Sequence, residues 1–207
     1  MTQNLIDLYK IVHNEKKDWG KSAHRHLLSI QACLAEIKPE SIIEYGCGKS
    51  NLHEQLNYGK ARYYRYDPAI SGLDELTVQN TGLVINTDVL EHIPINILPE
   101  VLKKISELST NVYFYICTRP AKLILPNGEN AHCTIMSAEE WLKLISKYFT
   151  KAQLIHIDKE EGCVIITWES VLNKVIKALE ECKIIQKKYD IASRPWYKKL
   201  KKRYKHK

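Results

Sequence analysis

Short apolar runs alternate with amphipathic helical stripes along most of this chain, and that alternation restricts the fold more than any other feature. Ser41–Tyr45 is an apolar run closed by Gly46, and Arg62–Tyr66 is a tyrosine-rich run ended by Asp67-Pro68. Gly82–Asn86 and Asn111–Cys117 are two more. Helical stripes lie around them at Ser22–Ile37, Lys49–Leu56 (stopped soon by Gly59), Ile97–Leu108 and Ser137–Tyr148. Pro99 falls in a first turn, where proline is tolerated, and Ser137 with Glu140 has capping-box spacing. A small strand is expected around Leu76–Val78. Lys151–Ile157 and Cys163–Trp168 follow one another around the turn Lys159–Gly162, which makes a hairpin and one antiparallel strand. Val171–Lys188 is a final helix. The expected fold is a single α/β domain with a doubly wound, Rossmann-like, mostly parallel seven-stranded sheet. It has an antiparallel terminal strand and helices on both faces.

The chain's 207 residues suit one such domain. Its boundaries are read as 1–188, followed by a basic C-terminal tail, 189–207. The net charge of +7 belongs to that tail: removing the eight lysines and arginines from Arg194 onward leaves 23 basic against 24 acidic residues. Any anionic partner, nucleic acid or an anionic membrane surface, is therefore expected at Arg194–Lys207 rather than on the body, with a solvated terminus as the plain alternative. No run approaches the ~20 apolar residues of a membrane span, so no transmembrane segment is expected. The first residues, MTQNLIDLYKIVHNEKKDW, mix charges into apolar positions and do not read as a secretory leader. The six cysteines stand singly, with no Cys-x-x-Cys pair, which suggests thiols in a reducing, cytoplasmic setting.

Glu44-Tyr45-Gly46-Cys47-Gly48-Lys49-Ser50 lies where the first strand meets a helix. Glycines there open backbone torsions closed to other residues and let a ligand approach the main chain. A plain tight turn would use the same pair. The dinucleotide fingerprint lacks its third glycine, Asn51 standing in its place, which disfavours a pyrophosphate cofactor. Asp67 follows Glu44 by 23 positions and ends the next strand, where an acid accepts hydrogen bonds from ribose hydroxyls. Asp-Pro also makes a turn, but beside the glycines Asp67 reads as an adenosine contact. Leu83-Val-Ile-Asn-Thr-Asp88-Val-Leu-Glu91-His92-Ile93 then delivers polar groups to the carboxyl edge of the sheet.

In order and spacing, IIEYGCGKS, YYRYDP and LVINTDVLEHI resemble the class I S-adenosylmethionine-dependent methyltransferase family, over about residues 40–168. The resemblance implies S-adenosylmethionine as cofactor, with Gly46 and Gly48 lining its methionine moiety. Tyr45 and Cys47 complete that turn, and Glu44 supports it and the cofactor's amino group. Asp67 would hold the ribose, and Thr87, Asp88 and Val89 would border the sulfonium. The stretch that contacts adenine in the family is compressed here, and no residue is assigned to it.

Asp88, Glu91 and His92 share one face if a helical turn starts at Asp88. With Arg119 and His132 after the next strand, Asp88 and His92 are the candidate catalytic residues. The segment also resembles small-RNA 3′-terminal ribose methyltransferases and ubiquinone-pathway O-methyltransferases. These hold a divalent cation with acid-x-x-Glu-His, and the ribose enzymes add a later histidine. That implies Asp88, Glu91, His92 and His132 as metal candidates; residues that merely line the pocket are the competing reading. The loop from Arg119 to His132 is long enough for a lid over the acceptor. Lys21, Ser22, His24, Arg25 and His26 could roof the same pocket. The expected function is methyl transfer to a small-molecule or saccharide acceptor, because the body is near neutral and the lid is short of cations. Metal-assisted RNA ribose 2′-O-methylation and a non-catalytic S-adenosylmethionine-binding module are the alternatives.

Overall fold

The computed structural model of the protein describes residues 3–16, 19–158 and 161–192. Helix α1 (Gln3–Glu15) precedes a 3-10 turn (Ser22–His26) and α2 (Leu27–Ile37). There follow β1 (Ser41–Tyr45), α3 (Leu52–Gln55), β2 (Arg62–Tyr66), β3 (Leu83–Thr87) and a 3-10 turn (Leu90–His92). The chain continues through α4 (Leu98–Leu108), β4 (Val112–Cys117), α5 (Ala138–Ile145), β5 (Gln153–Asp158), β6 (Gly162–Ile166) and α6 (Asn173–Ala192).

β1, β3, β4 and β6 are buried along their whole length, and this is why they read as unbroken apolar runs. The sheet order is β2-β1-β3-β4-β6-β5. β1 pairs in parallel with β2 and β3, β3 with β4, and the hairpin β5–β6 joins antiparallel through β6 on β4. The winding direction reverses between β1 and β3, so a crevice opens at their carboxyl ends.

Strand residues alternate between two cores. Ile43, Val84, Phe114 and Ile165 pack with Leu102 and Ile105 of α4 and Trp141 of α5. Ile42, Ile85, Tyr113 and Val164 pack with Ile30 and Leu34 of α2 and Ile176 of α6. Each such aliphatic side chain contributes roughly 1.5–3 kcal/mol. In the second core α6 also carries a buried carboxylate. Glu180 accepts hydrogen bonds from Ser29 Oγ at 2.5 Å and Tyr113 Oη at 3.1 Å, and lies 3.3 Å from His26 Nδ1. A third, smaller core joins Tyr9 and Val12 of α1 to Ala69, Leu125 and Ala131, outside the sheet.

The sheet has six strands among the described residues, not the seven expected, because no strand forms at Leu76–Val78. The crossover from β2 to β3 spends its length in turns (Ile70 N–H to Asp67 O, Leu73 N–H to Ile70 O), leaving too little chain to run beside β2. Leu76 and Val78 pack on the first core instead. The helix expected over Lys49–Leu56 shrinks to α3, and the last helix runs through Ala192, past the expected boundary at 188. Residues 3–15, unassigned from the sequence, form α1. Ser137 and Glu140 make the capping box that their spacing predicts. The basic segment Arg194–Lys207 lies outside the described residues, as does part of the Lys159–Gly162 turn. Among the described residues no helix is long and apolar enough to cross a membrane.

Candidate active site

The turn after β1 is built for close approach. Gly46 and Gly48 have φ of 76° and 50°. A Cβ on Gly46 would fall 2.4 Å from Val89 Cγ2, so this is where the two loops of the crevice touch. The loop's amides are largely committed: Gly46 and Cys47 donate to the Tyr66 carbonyl, and Gly48 donates to Asp67 Oδ2 at 2.9 Å. What the turn offers a ligand is an unobstructed surface.

Asp67 is buried, and its other oxygen, Oδ1, accepts from Ala69 N–H at 2.9 Å. Each oxygen keeps capacity for a further donor. Asp67 therefore ties the glycine turn to the end of β2 while remaining a partner for hydroxyls in the cavity.

Glu44 stands on the opposite side of β1 and does not line the cavity. It is 2% exposed, and its Oε2 accepts from Tyr63 Oη at 3.1 Å. Burial raises its pKa to about 7, although Ser50, Tyr63 and Arg65 pull the other way. Because the folded value lies above the ordinary 4.5, stability falls as pH rises from about 4.5 through about 7. Glu44→Gln should therefore be more stable than the parent at pH 8 by on the order of 3 kcal/mol, with the gap closing at pH 5. Urea unfolding at the two pH values measures this; a gap independent of pH would show that the carboxylate is not the cause.

Thr87, Asp88 and Val89 leave β3 at the same edge and line the cavity. Asp88 has a left-handed backbone, φ 55°, and its N–H donates to the Tyr115 carbonyl. Its Oδ2 is 3.1 Å from Arg25 Nη2, so the 3-10 turn before α2 is strapped across the mouth by this pair. Lys21, Ser22 and His24 line the cavity beside Arg25. His26 does not: it lies behind, beside Glu180, with its ring 4.0 Å from that of Tyr115.

Glu91, His92 and His132 offer ligand atoms that all lie within 4.8 Å of one another. His92 Nδ1 is 2.8 Å from the Ala131 carbonyl, and His132 Nδ1 is 2.6 Å from the Arg119 carbonyl. A carbonyl only accepts, so both Nδ1 atoms carry protons and both Nε2 atoms present lone pairs. Burial lowers the His92 pKa to about 4, with His132 adding to the effect, and burial lowers that of His132 as well. Both rings are neutral at neutral pH. Glu91 is fully buried, and its Oε1 accepts from Cys117 N–H at 3.1 Å. Its Oε2 has no hydrogen-bond partner among the described residues. Burial and the nearby Asp88 charge raise its pKa well above the ordinary value. An orphaned carboxylate oxygen beside two imidazoles oriented by backbone carbonyls fits a divalent cation of the zinc, manganese or cobalt type. Asp88 stands apart from these three, paired with Arg25.

Gly46, Gly48, Asp67, Asp88, His92 and His132 border a cavity of about 450 Å³, and Glu91 is fully buried and outside its lining. The lid loop contributes Arg119, Lys122 and His132, and an isolated bridge between Ile124 and Asn130 holds it as a hairpin. Lys21 and Arg25, expected from the sequence to roof the pocket, join Arg119 and Lys122 at its mouth. Arg119 is held by Glu161 at 2.7 Å, another lining residue that the sequence did not single out. Sequence reasoning also missed Tyr9, His13, Trp19 and Gly20, which close the cavity from above. The helical spacing of Leu5, Leu8 and Val12 was the signal for α1.

No protein-family model and no curated protein matches the chain. Among solved structures it is similar to the 1,6-didemethyltoxoflavin-N1-methyltransferase of Burkholderia thailandensis, which holds 1,6-didemethyltoxoflavin and S-adenosylhomocysteine. The TM-score is 0.55 at 13% identity, over 79% of this chain and 86% of that one. The fold is that of a class I methyltransferase. Looser overlaps occur with a Nostoc punctiforme protein described as a candidate O-methyltransferase (TM-score 0.45, 15% identity, 72% of this chain and 56% of that one). Another is with LepI in complex with S-adenosylmethionine (0.36, 9%, 62% and 36%). In this class I methyltransferase fold the cavity lies at the carboxyl ends of β1 and β3, where the winding reverses.

Proposed function

We propose that the chain is an S-adenosylmethionine-dependent methyltransferase acting on a hydroxyl of a small-molecule or saccharide acceptor, with a divalent cation held by Glu91, His92 and His132. The observation that carries this reading is the meeting of two chemistries in one crevice. The Gly46–Gly48 turn and Asp67 line one part and His92 and His132 another, with a ligand atom of each histidine and of the buried Glu91 within 4.8 Å of one another. Helix cover on both faces of a doubly wound sheet belongs to the same reading, since α4 and α5 share one core and α2 and α6 the other.

S-adenosylmethionine, when bound, supplies a methyl group on a sulfonium, and the cation supplies positive charge that favours the ionised acceptor. The chain's own residues do the rest. Asp67 accepts from the ribose hydroxyls. Gly46, Cys47 and Gly48 leave room along the methionine moiety, and Val89 gives the reacting centre an apolar border. Methyl transfer is an in-line displacement, so holding the acceptor close and aligned under the lid loop is the main task. The neutral Nε2 atoms of His92 and His132 either hold the cation or take the hydroxyl's proton directly. α1 and the loop 119–132 exclude water from the crevice.

Glu91, His92 and His132 also favour a second reading, an RNA 3′-terminal ribose as acceptor, because that resemblance includes a later histidine. S-adenosylhomocysteine release measured across small hydroxylated molecules, glycans and short RNAs is the test. Release with the first two pools is expected. Release with RNA alone moves the assignment to the ribose, and binding without release from any pool makes the chain a non-catalytic module.

A further inference from the structure

Tyr9 is 4% exposed and distant in sequence from most of what it touches. Its hydroxyl donates to the Ala131 carbonyl at 2.9 Å and stands 3.0 Å from His92 Nδ1. His92 Nδ1 meets the same carbonyl at 2.8 Å. Groups from α1, the turn after β3 and the lid loop thus converge on one oxygen. Trp19 stacks on the Tyr9 ring (centroids 5.6 Å, planes 12° apart) and meets His92 edge-on at 5.8 Å, so the phenol is held from behind. Ala131 directly precedes His132, whose ring lies 4.8 Å from that of His92. The hydroxyl therefore bears on the orientation of one imidazole and on the backbone position from which the other projects.

The far end of α1 is tied to the cofactor half. Lys49 Nζ donates to the carbonyl of His13, and Gly20 packs against Gly48 so closely that a Cβ on Gly48 would meet the Gly20 carbonyl oxygen at 2.8 Å. α1 thus reaches the segment after the glycine turn through His13 and the imidazole pair through Tyr9, one helical turn away.

We infer that Tyr9 is a positioning residue for His92 and His132, and that α1 couples occupancy of the cofactor half to assembly of the acceptor half. The coupling rests on the proposed function; the hold of Tyr9 on the lid loop does not. Tyr9→Phe removes the hydroxyl and keeps the ring stacked on Trp19. In the ligand-free full chain, amide exchange across residues 121–134 should accelerate by roughly tenfold, with β1 and β4 unchanged. Exchange rates equal to the parent's would overturn the role of Tyr9. Co²⁺, followed by its visible absorption, should bind the variant about tenfold more weakly than the parent. S-adenosylhomocysteine should tighten Co²⁺ binding to the parent and leave that of the variant unaltered. A parent that binds neither probe removes the proposed function and the coupling with it, and a variant that keeps the parent's coupling refutes α1 as the connection.

Discussion

An Asp67→Ala chain is expected to lose S-adenosylhomocysteine affinity by about a hundredfold or more, read by titration calorimetry. The carboxylate accepts from Gly48 N–H and Ala69 N–H, each oxygen keeps capacity for a further donor, and under the proposed function those donors are the ribose hydroxyls. Charge-assisted hydrogen bonds contribute roughly 1.5–3 kcal/mol each, so losing even two accounts for that factor. Alanine also strands the two amides, and the melting temperature should fall. Asp67→Asn separates the two effects: its remaining oxygen can still take one amide, so stability recovers more than affinity. Unchanged affinity in Asp67→Ala would remove the adenosine assignment altogether.

The other large effect concerns the cation. Adding Mn²⁺ or Co²⁺ at about a hundred times its dissociation constant should stabilise the fold by about 2.7 kcal/mol. For a chain of this size that is a rise in melting temperature of roughly 5–10 °C. EDTA should reverse it and lower turnover by about a thousandfold, the scale of several kcal/mol of charge stabilisation. Glu91→Gln and His132→Ala should each abolish the thermal shift. If no divalent ion moves the melting curve and EDTA leaves turnover intact, His92 and His132 act as metal-free bases.

The parts of the site readable from sequence are those encoded locally. Gly46 and Gly48 are required by their own torsions, and Asp67, Thr87, Asp88 and Val89 follow directly from strand ends whose apolar runs announce them. Glu91 and His92 are neighbours on one turn, and Ser137 caps its helix with a residue three positions away. What was illegible depends on distant packing. Nothing near Tyr9 says that its hydroxyl will reach His92, 83 positions away. Glu44 opens the glycine-turn motif, yet strand alternation turns it away from the cavity toward Tyr63. Leu76 and Val78 carry strand-forming residue types, but the turns at Asp67–Leu73 use up the chain needed to reach a pairing partner.

The carboxylate of Glu180 has a consequence for how the molecule assembles. An apolar helix face tolerates sliding by a turn, since one aliphatic residue replaces another with little loss. A charge in the seam does not: any other register of α6 would take Glu180 away from Ser29, Tyr113 and His26 and bury it against hydrocarbon. α6 can therefore dock in one alignment only, and in doing so it fixes His26, the residue next to Arg25 at the cavity mouth. A helix more than 140 positions away along the chain thus sets the alignment of the turn that carries Arg25.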